Sequence, residues 1–387
     1  MPATIMYVIN SLEVGGAERH LVQLVENLDR SRFQPMVCTM APSGVLAPRL
    51  RAQGVTVLQP PLADYLYRRK WPRRMMHAAS WLWLIFVMLR LRPAIVHAFL
   101  PHAYISSGIA KLFARRPHLV MSRRSMNNYQ DFSEITRRLE RWLFSKTRAA
   151  LGNSQRVVDQ LDEEGFAPDR LFLNYNGVEA SRFAVGPTDR QASRTSLQLD
   201  QNALVMVLIA NLIPYKGHAD LLHALADIKD RLPENWHLIC VGRDDGIGPE
   251  LEETVDRLAL NGHVRWLGQQ NDITPYLAVA DMGCLVSHQE GFSNAILEGM
   301  AASLPMVVTD VGGNGEAVLN GSSGYVVPAH DRAALGDAIL SLALDPVRRR
   351  EMGMVGRDRV EELFSPQKCM ARYEKLYTEI LSTAANG

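Results

Sequence analysis

Short apolar runs punctuated by Gly, Pro, Ser and Asp alternate with segments of helical apolar spacing along the whole chain, and the alternation restarts once. In the first half the runs are TIMYVIN, QPMVCTM, VTVLQP, AIVHAFL, HLVMS and RAALGNS. In the second they are ALVMVLIAN, WHLICVG, HVRWLG, MGCLVS, PMVVTD and GYVVP. Strands that alternate with helices pair in parallel and bury both faces of the sheet, which is why they read as continuous apolar runs. Met twice in one chain, the pattern predicts an α/β protein of two doubly wound, Rossmann-like domains whose strand ends face a central cleft. The stretch LFLNYNGVEASRFAVGPTDR carries the linker chemistry and places the boundary near Pro187, giving domains over 1–186 and 187–364. The closing segment, 365–387, reads as an amphipathic helix with Met370, Tyr373, Leu376, Tyr377 and Ile380 on one face, suited to packing back on the first domain.

Composition agrees with two ordinary cores and excludes disordered and fibrous classes: of 387 residues, 47% are hydrophobic and 21% charged. Cys38, Cys240, Cys284 and Cys369 are scattered without a CxxC or a histidine at metal-ligand spacing, as in a reducing compartment, and the first three sit in apolar strand runs. The start, MPATIMYVINSL, has neither a basic n-region nor a small-residue cleavage site, so no signal peptide is expected. WLWLIFVML, 81–89, falls short of the ~20 apolar residues that span a bilayer and reads as a buried or membrane-surface helix. The expected location is the cytoplasm, with a peripheral place on the inner face of the cell membrane open to it.

The net charge of +1 hides an asymmetry. Residues 1–175 carry 24 Lys+Arg against 13 Asp+Glu, or +11, and residues 176–387 carry 18 against 28, or −10. The basic clusters are Arg68-Arg69-Lys70 with Arg73-Arg74, Arg115-Arg116, Arg123-Arg124, and Arg137-Arg138 with Arg141. Solvated helix faces explain some of these. Together they suggest a phosphate-bearing acceptor or an anionic membrane surface. Nucleic acid is not expected, because no binding motif or aromatic interleaving accompanies the charge.

Chemistry concentrates at strand ends. In SHQEGFSNAILEGMAASLPMVVTD, 287–310, Glu290 precedes a Gly-Phe-Ser-Asn turn and Glu298 lies inside the following helix. Ser293 or Asn294 is the expected N-cap, so the first amides of that helix offer an anion site. Carboxylates only accept hydrogen bonds, and sugar hydroxyls donate them. Gly15 and Gly16 stand between the first strand and the first helix, where backbone can approach a ligand. Lys216 follows the first strand of the second half, placed to meet a diphosphate. His97 falls in a strand pattern as a core histidine would, whereas His102 follows Pro101 at a strand-to-helix turn.

Taken together, Gly15-Gly16-Ala17-Glu18, NYNGVEASRF, PYKGHADLL, the long block from LGQQND to GGNGEAV, and GSSGYVVPAHD resemble the retaining glycosyltransferases of family 4, which have the GT-B fold. The resemblance covers nearly the whole chain. It implies transfer of a sugar from a nucleotide-diphosphate donor, a UDP- or GDP-sugar, with retention at the anomeric carbon, no cofactor and no obligatory metal. Glu290 resembles the carboxylate at the donor-sugar hydroxyls and Glu298 the one that holds the ribose. Gly291, Phe292, Ser293 and Asn294 match the turn whose amides meet sugar and diphosphate. Lys216 matches the phosphate-binding lysine, and His102 the histidine near the donor sugar, with His97 the second choice. Where many members carry a Gly-Arg-Leu type sequence, this chain has Ala210-Asn211-Leu212, so Asn211 replaces an arginine and Arg243 becomes the candidate for the missing positive charge.

The resemblance further implies a glycan or lipid-linked acceptor in cell-surface polysaccharide or glycolipid synthesis. No Asp-x-Asp metal motif stands out, and Asp244-Asp245 reads as a solvated glycine turn. Two rival readings share the architecture: a nucleotide-sugar epimerase, which needs no acceptor, and a silent sugar-nucleotide binding protein.

Overall fold

The computed structural model describes residues 2–61, 63–68, 73–126, 134–184 and 186–385. Two compact units divide the chain: Met1–Tyr175 together with Cys369–Gly387, and Asn176–Lys368. Arg372 and Lys375 balance Glu374 and Glu379 in the returning segment, so the charges of +11 and −10 carry over to the two units.

The first unit holds seven strands, β1 (Ala3–Ile9), β2 (Phe33–Thr39), β3 (Thr56–Leu58), β4 (Ile95–Phe99), β5 (His118–Arg123), β6 (Ala149–Gly152) and β7 (Leu171–Leu173). They pair in the order β3-β2-β1-β4-β5-β6-β7, all in parallel. β7 was expected to be linker; instead its register of Ala150 against Leu171 through Gly152 against Leu173 adds an edge strand. Three residues are too few to show a strand period, and the pairing comes from the neighbouring β6.

The second unit has six parallel strands, β8 (Leu204–Ile209), β9 (Trp236–Val241), β10 (Val264–Trp266), β11 (Met282–Leu285), β12 (Met306–Thr309) and β13 (Gly324–Val327), ordered β10-β9-β8-β11-β12-β13. Each of these matches an apolar run of the sequence. The unit begins eleven residues before the boundary expected at Pro187, because the intervening segment is bonded to it. Asn176 Nδ2 donates to the Phe292 carbonyl at 3.1 Å and to Asn294 Oδ1 at 2.6 Å, and the Val178 backbone amide donates to the Phe364 carbonyl at 2.8 Å.

The helix Pro366–Ala385 sets Met370, Tyr373, Leu376, Tyr377 and Ile380 into the core of the first unit with Ile5, Tyr7, Leu21 and Phe33. Two buried hydrogen bonds fix it there, His20 Nε2 to Tyr373 Oη at 2.9 Å and His97 Nδ1 to Tyr377 Oη at 2.7 Å. All four cysteines are buried; burial pushes the Cys284 thiol up to about 12.

The helix Arg73–Leu91 buries Leu84, Val87 and Met88 and leaves Leu82 and Phe86 70% and 63% exposed. Among the described residues no helix is long and apolar enough to cross a membrane. The basic clusters divide. Arg123 is buried in ion pairs with Glu140 at 2.8 Å and Glu164 at 2.6 Å, and Arg137 and Arg138 both meet Glu134. Arg90, Arg92, Arg115, Arg116 and Arg141 are exposed. Arg69 and Lys70 lie outside the described residues, as do the side chains of Arg68, Arg73 and Arg74.

Candidate functional site

In a doubly wound sheet, loops at the carboxyl ends of the strands part where strand order reverses, and that gap receives ligands. In the second unit the reversal falls between β8 and β11. Lys216 follows β8 and Glu290 follows β11, so the fold brings to one gap two residues far apart in sequence. Lys216 Nζ lies 2.5 Å from Glu290 Oε1, and Ser287 Oγ donates to the same oxygen at 2.8 Å. Both charged side chains are largely buried, 18% and 11% exposed.

The local backbone explains how they meet. Gly217, at φ +71°, passes so close to the end of β11 that a Cβ would collide with the Val286 carbonyl. The His288 amide donates to the Tyr215 carbonyl at 2.7 Å and joins the two loops. On the other side, Gly312, at φ +51°, packs under the Glu290 carbonyl, and the Gly313 amide donates to the Gly291 carbonyl at 2.8 Å. Left-handed backbone pressed against a carbonyl admits only glycine without strain.

Gly291 and Phe292 are buried. Ser293 occupies the N-cap of the helix Asn294–Ala301 without a side-chain cap, and Asn294 turns its side chain to Asn176. Glu298 is half-buried, one turn into that helix. Asn211 and Arg243 follow β8 and β9. The Arg243 amide donates to Asn211 Oδ1 at 3.1 Å, Asn211 Nδ2 donates to Asp245 Oδ2 at 3.2 Å, and Arg243 Nε donates to Asp245 Oδ1 at 2.6 Å. Arg243 is thus already paired with Asp245, and the hydrogen bond from Arg243 keeps that carboxyl below its usual range. Asp244 accepts the amides of Gly246, Ile247 and Gly248, which lower its acidity range in the same direction and give it a turn-forming task.

In the first unit the reversal falls between β1 and β4. Gly15 is the N-cap of the helix Gly16–Asn27, and a side chain on it would strike the Glu18 carboxylate, whose pKa burial raises. His102 is the second residue of the helix Pro101–Phe113, which starts directly after Leu100, whose φ of +72° is strained for a non-glycine residue. The His102 Nε2 lies 3.0 Å from His77 Nδ1, and burial, then His77, lowers its pKa, so the ring is neutral at pH 7. His97 is a core residue: wholly buried, bonded to Tyr377 and at 2.8 Å to Ser122 Oγ, its pKa pushed by burial to about 3. A cavity of about 570 Å³ opens beside the carboxyl ends of β1, β2 and β3, lined by Asn10, Met40, Tyr67, Met76, His77 and Trp83 among others.

Three features escaped the sequence. Asn176 stood in a motif of the resemblance, but its hold on the Phe292-Asn294 turn depends on a fold contact across more than a hundred residues. Ser287 gave no signal beyond its place at a strand end. Asp220, His288 and His330 come from one helix start and two separate loops, so no spacing could reveal that their ligand atoms lie within 4.8 Å of one another.

The paired parallel sheets have the fold of known GT-B proteins. Anabaena HepE, whose crystal structure was solved in complex with UDP, superposes with a TM-score of 0.84 at 22% identity, covering 98% of this chain and 100% of that one. Residues 14–182 match the family model "Glycosyltransferase Family 4" and residues 203–345 match "Glycosyl transferases group 1". The chain belongs to the family 4 glycosyltransferases. Among curated relatives it is similar to a D-inositol 3-phosphate glycosyltransferase of Streptomyces bingchenggensis, 26% identical, over 95% of this chain and 86% of that protein. It is also 29% identical to the N-acetyl-alpha-D-glucosaminyl L-malate synthase of Bacillus anthracis, a match that spans only 49% of each chain.

Proposed function

We propose that the protein is a retaining glycosyltransferase that takes a hexose or N-acetylhexosamine from a UDP- or GDP-sugar. The observation that carries this reading is the Lys216–Glu290 pair at the sheet's reversal point, beside the uncapped start of the helix Asn294–Ala301. Breaking the bond between anomeric carbon and phosphate leaves an oxocarbenium-like sugar and a diphosphate with added negative charge. Lys216 and the first helix amides face the second charge, and Glu290 faces the first, besides accepting hydrogen bonds from sugar hydroxyls. Glu298 takes the ribose, and neutral His102 keeps the place near the donor sugar that the resemblance gives it. With cation and amides supplying the electrostatics, front-face attack assisted by the departing phosphate needs neither a dedicated base nor a metal. HepE, solved with UDP-glucose, supports a nucleotide-sugar donor.

For the acceptor, the exposed Leu82 and Phe86 and the cavity lined by Met40, Tyr67, Met76 and Trp83 support a lipid-linked molecule presented at an anionic membrane. Incubation with UDP- and GDP-sugars, with and without membrane extract and in the presence of EDTA, tests the whole reading. Transfer that needs the extract, survives EDTA and keeps the anomeric configuration in the product's NMR spectrum is the expected result. An epimer formed without acceptor, or binding without turnover, would replace it.

A further inference from the structure

We propose that Asp220, His288 and His330 bind a divalent cation of the zinc type, at a site distinct from the Lys216–Glu290 pair and independent of the reading above. Asp220 lies in the first turn of the helix His218–Ile228, His288 in the loop after β11, and His330 in the turn after β13. His288 Nε2 stands 2.9 Å and His330 Nδ1 3.3 Å from the same carboxylate oxygen, Asp220 Oδ2. The two imidazole rings are 4.0 Å apart between centroids. Zinc takes nitrogen at about 2.0–2.1 Å and carboxylate oxygen at about 2.0–2.2 Å, and a tetrahedral arrangement then separates neighbouring ligand atoms by about 3.3 Å. The two spacings to Asp220 Oδ2 are close to those edges, and all three ligand atoms lie within 4.8 Å of one another. Two imidazoles converging on one carboxylate oxygen place three metal-ligand atoms together.

The supporting backbone is also unusual. His330 has φ +64°, a left-handed conformation that costs a non-glycine residue about 1–3 kcal/mol and persists where the surroundings impose it. His288 is held by its amide bond to Tyr215, and Asp220 by its helix. His330 is 65% exposed, which leaves an entry path and room for water or a substrate atom as the fourth ligand. Two nitrogens and one carboxylate select zinc, cobalt or nickel over magnesium and calcium, which prefer oxygen-only shells. His288 precedes Glu290 by two residues and Asp220 follows Lys216 by four, so a bound ion fastens together the two loops that carry the pair.

Calorimetric titration of the full chain with zinc chloride in a non-coordinating buffer should show one saturable site per chain, and cobalt(II) at the same stoichiometry should give visible d–d absorption. His330→Asn keeps a residue suited to left-handed backbone, and it should weaken zinc binding more than about tenfold, as should Asp220→Asn. His77→Ala, which removes one partner of the other close histidine pair, should leave binding unchanged. No saturable uptake by the wild-type chain, uptake indifferent to His330→Asn, or uptake lost with His77→Ala would each overturn the site.

Discussion

Lys216 Nζ and Glu290 Oε1 stand 2.5 Å apart across 74 residues of sequence, at the one place in the second sheet where strand order reverses. In the absence of donor each charge satisfies the other. A diphosphate arriving beside Lys216 therefore competes with Glu290 for the ammonium, and a sugar hydroxyl competes with the ammonium for Glu290. Glu290→Gln removes one charge at constant volume, so turnover should fall about a hundredfold or more while nucleotide affinity holds or rises, because Lys216 is released. Lys216→Ala should lower kcat/KM by about one to two decades, the worth of a charged hydrogen bond of ~1.5–3 kcal/mol. The double variant should lose less than the two effects combined. Full additivity in steady-state kinetics would show that the two residues act separately.

Glu298 is set apart from this pair by a turn of helix and should act on binding. Glu298→Gln is expected to raise the dissociation constant for UDP or GDP, measured by calorimetry, with kcat at saturating donor changed far less. An unchanged nucleotide affinity would remove Glu298 from the ribose.

Asn176 bridges the Phe292 carbonyl and the Asn294 side chain, and thus holds the turn that leads into the helix Asn294–Ala301. Asn176→Ala should raise the donor KM and lower stability by about 1–3 kcal/mol, since one buried and one part-buried hydrogen bond are lost. Gly312→Ala should do more harm to activity: it demands left-handed backbone of alanine and pushes a methyl group into the Glu290 carbonyl. A Gly312→Ala enzyme with wild-type kinetics would mean that the Glu290 loop tolerates displacement.

How far the sequence went follows from these contacts. The six strands of the second unit and most of the first were legible because each is a bounded apolar run, and their carboxyl ends located Lys216, Glu290 and His102. β7 was not, since three residues in a turn-rich stretch take their strand character from pairing with β6. Boundaries were blurred for a related reason: the bonds of Asn176 and Val178 to distant residues, and not local composition, assign 176–186 to the second unit. Charge runs were the least reliable guide, because a run does not show that Arg123 is buried between Glu140 and Glu164, and the resemblance that made Arg243 a candidate does not show that Asp245 already holds it.

The buried histidines make stability depend on pH. Burial lowers the pKa of His20 well below its ordinary value, that of His97 to about 3 and that of His218 to about 4. In the unfolded chain each regains a proton below about 6.5. Between those limits the unfolded state binds more protons, so stability is fully present above pH 6.5 and declines as pH falls through the window. Each histidine contributes about 1.4 kcal/mol per pH unit there. Urea midpoints should hold near pH 7 and drop steadily from about pH 6.5 to about pH 5, and His97→Gln should reduce the slope by one proton. A midpoint independent of pH in that range would contradict the neutral, buried state of these rings.

The exposed face of the helix Arg73–Leu91 leads to the last prediction. Leu82, Phe86 and Leu89 recur at helical spacing on the side turned away from Leu84, Val87 and Met88, and Arg90 and Arg92 follow at its end. The neighbouring helix, joined by the Trp81 indole bond to Ser106 at 2.8 Å, ends in exposed Leu112 and Phe113 with Arg115 and Arg116 just beyond. Apolar side chains fringed by arginines suit the interface of an anionic bilayer, where each basic residue adds about 1 kcal/mol within a Debye length of roughly 8 Å. Cosedimentation with phosphatidylglycerol vesicles should therefore occur at low salt and fall as salt rises. Leu82→Ser with Phe86→Ser should weaken it at every salt concentration, whereas changing Arg68, Arg69, Arg73 and Arg74 to Ser should flatten its salt dependence. Leu82 and Phe86 are exposed residues of the first unit, and Lys216 and Glu290 belong to the second, so nucleotide affinity should be unaffected. A protein that ignores such vesicles even at low salt would leave the cavity beside β1 and β2 to a soluble acceptor.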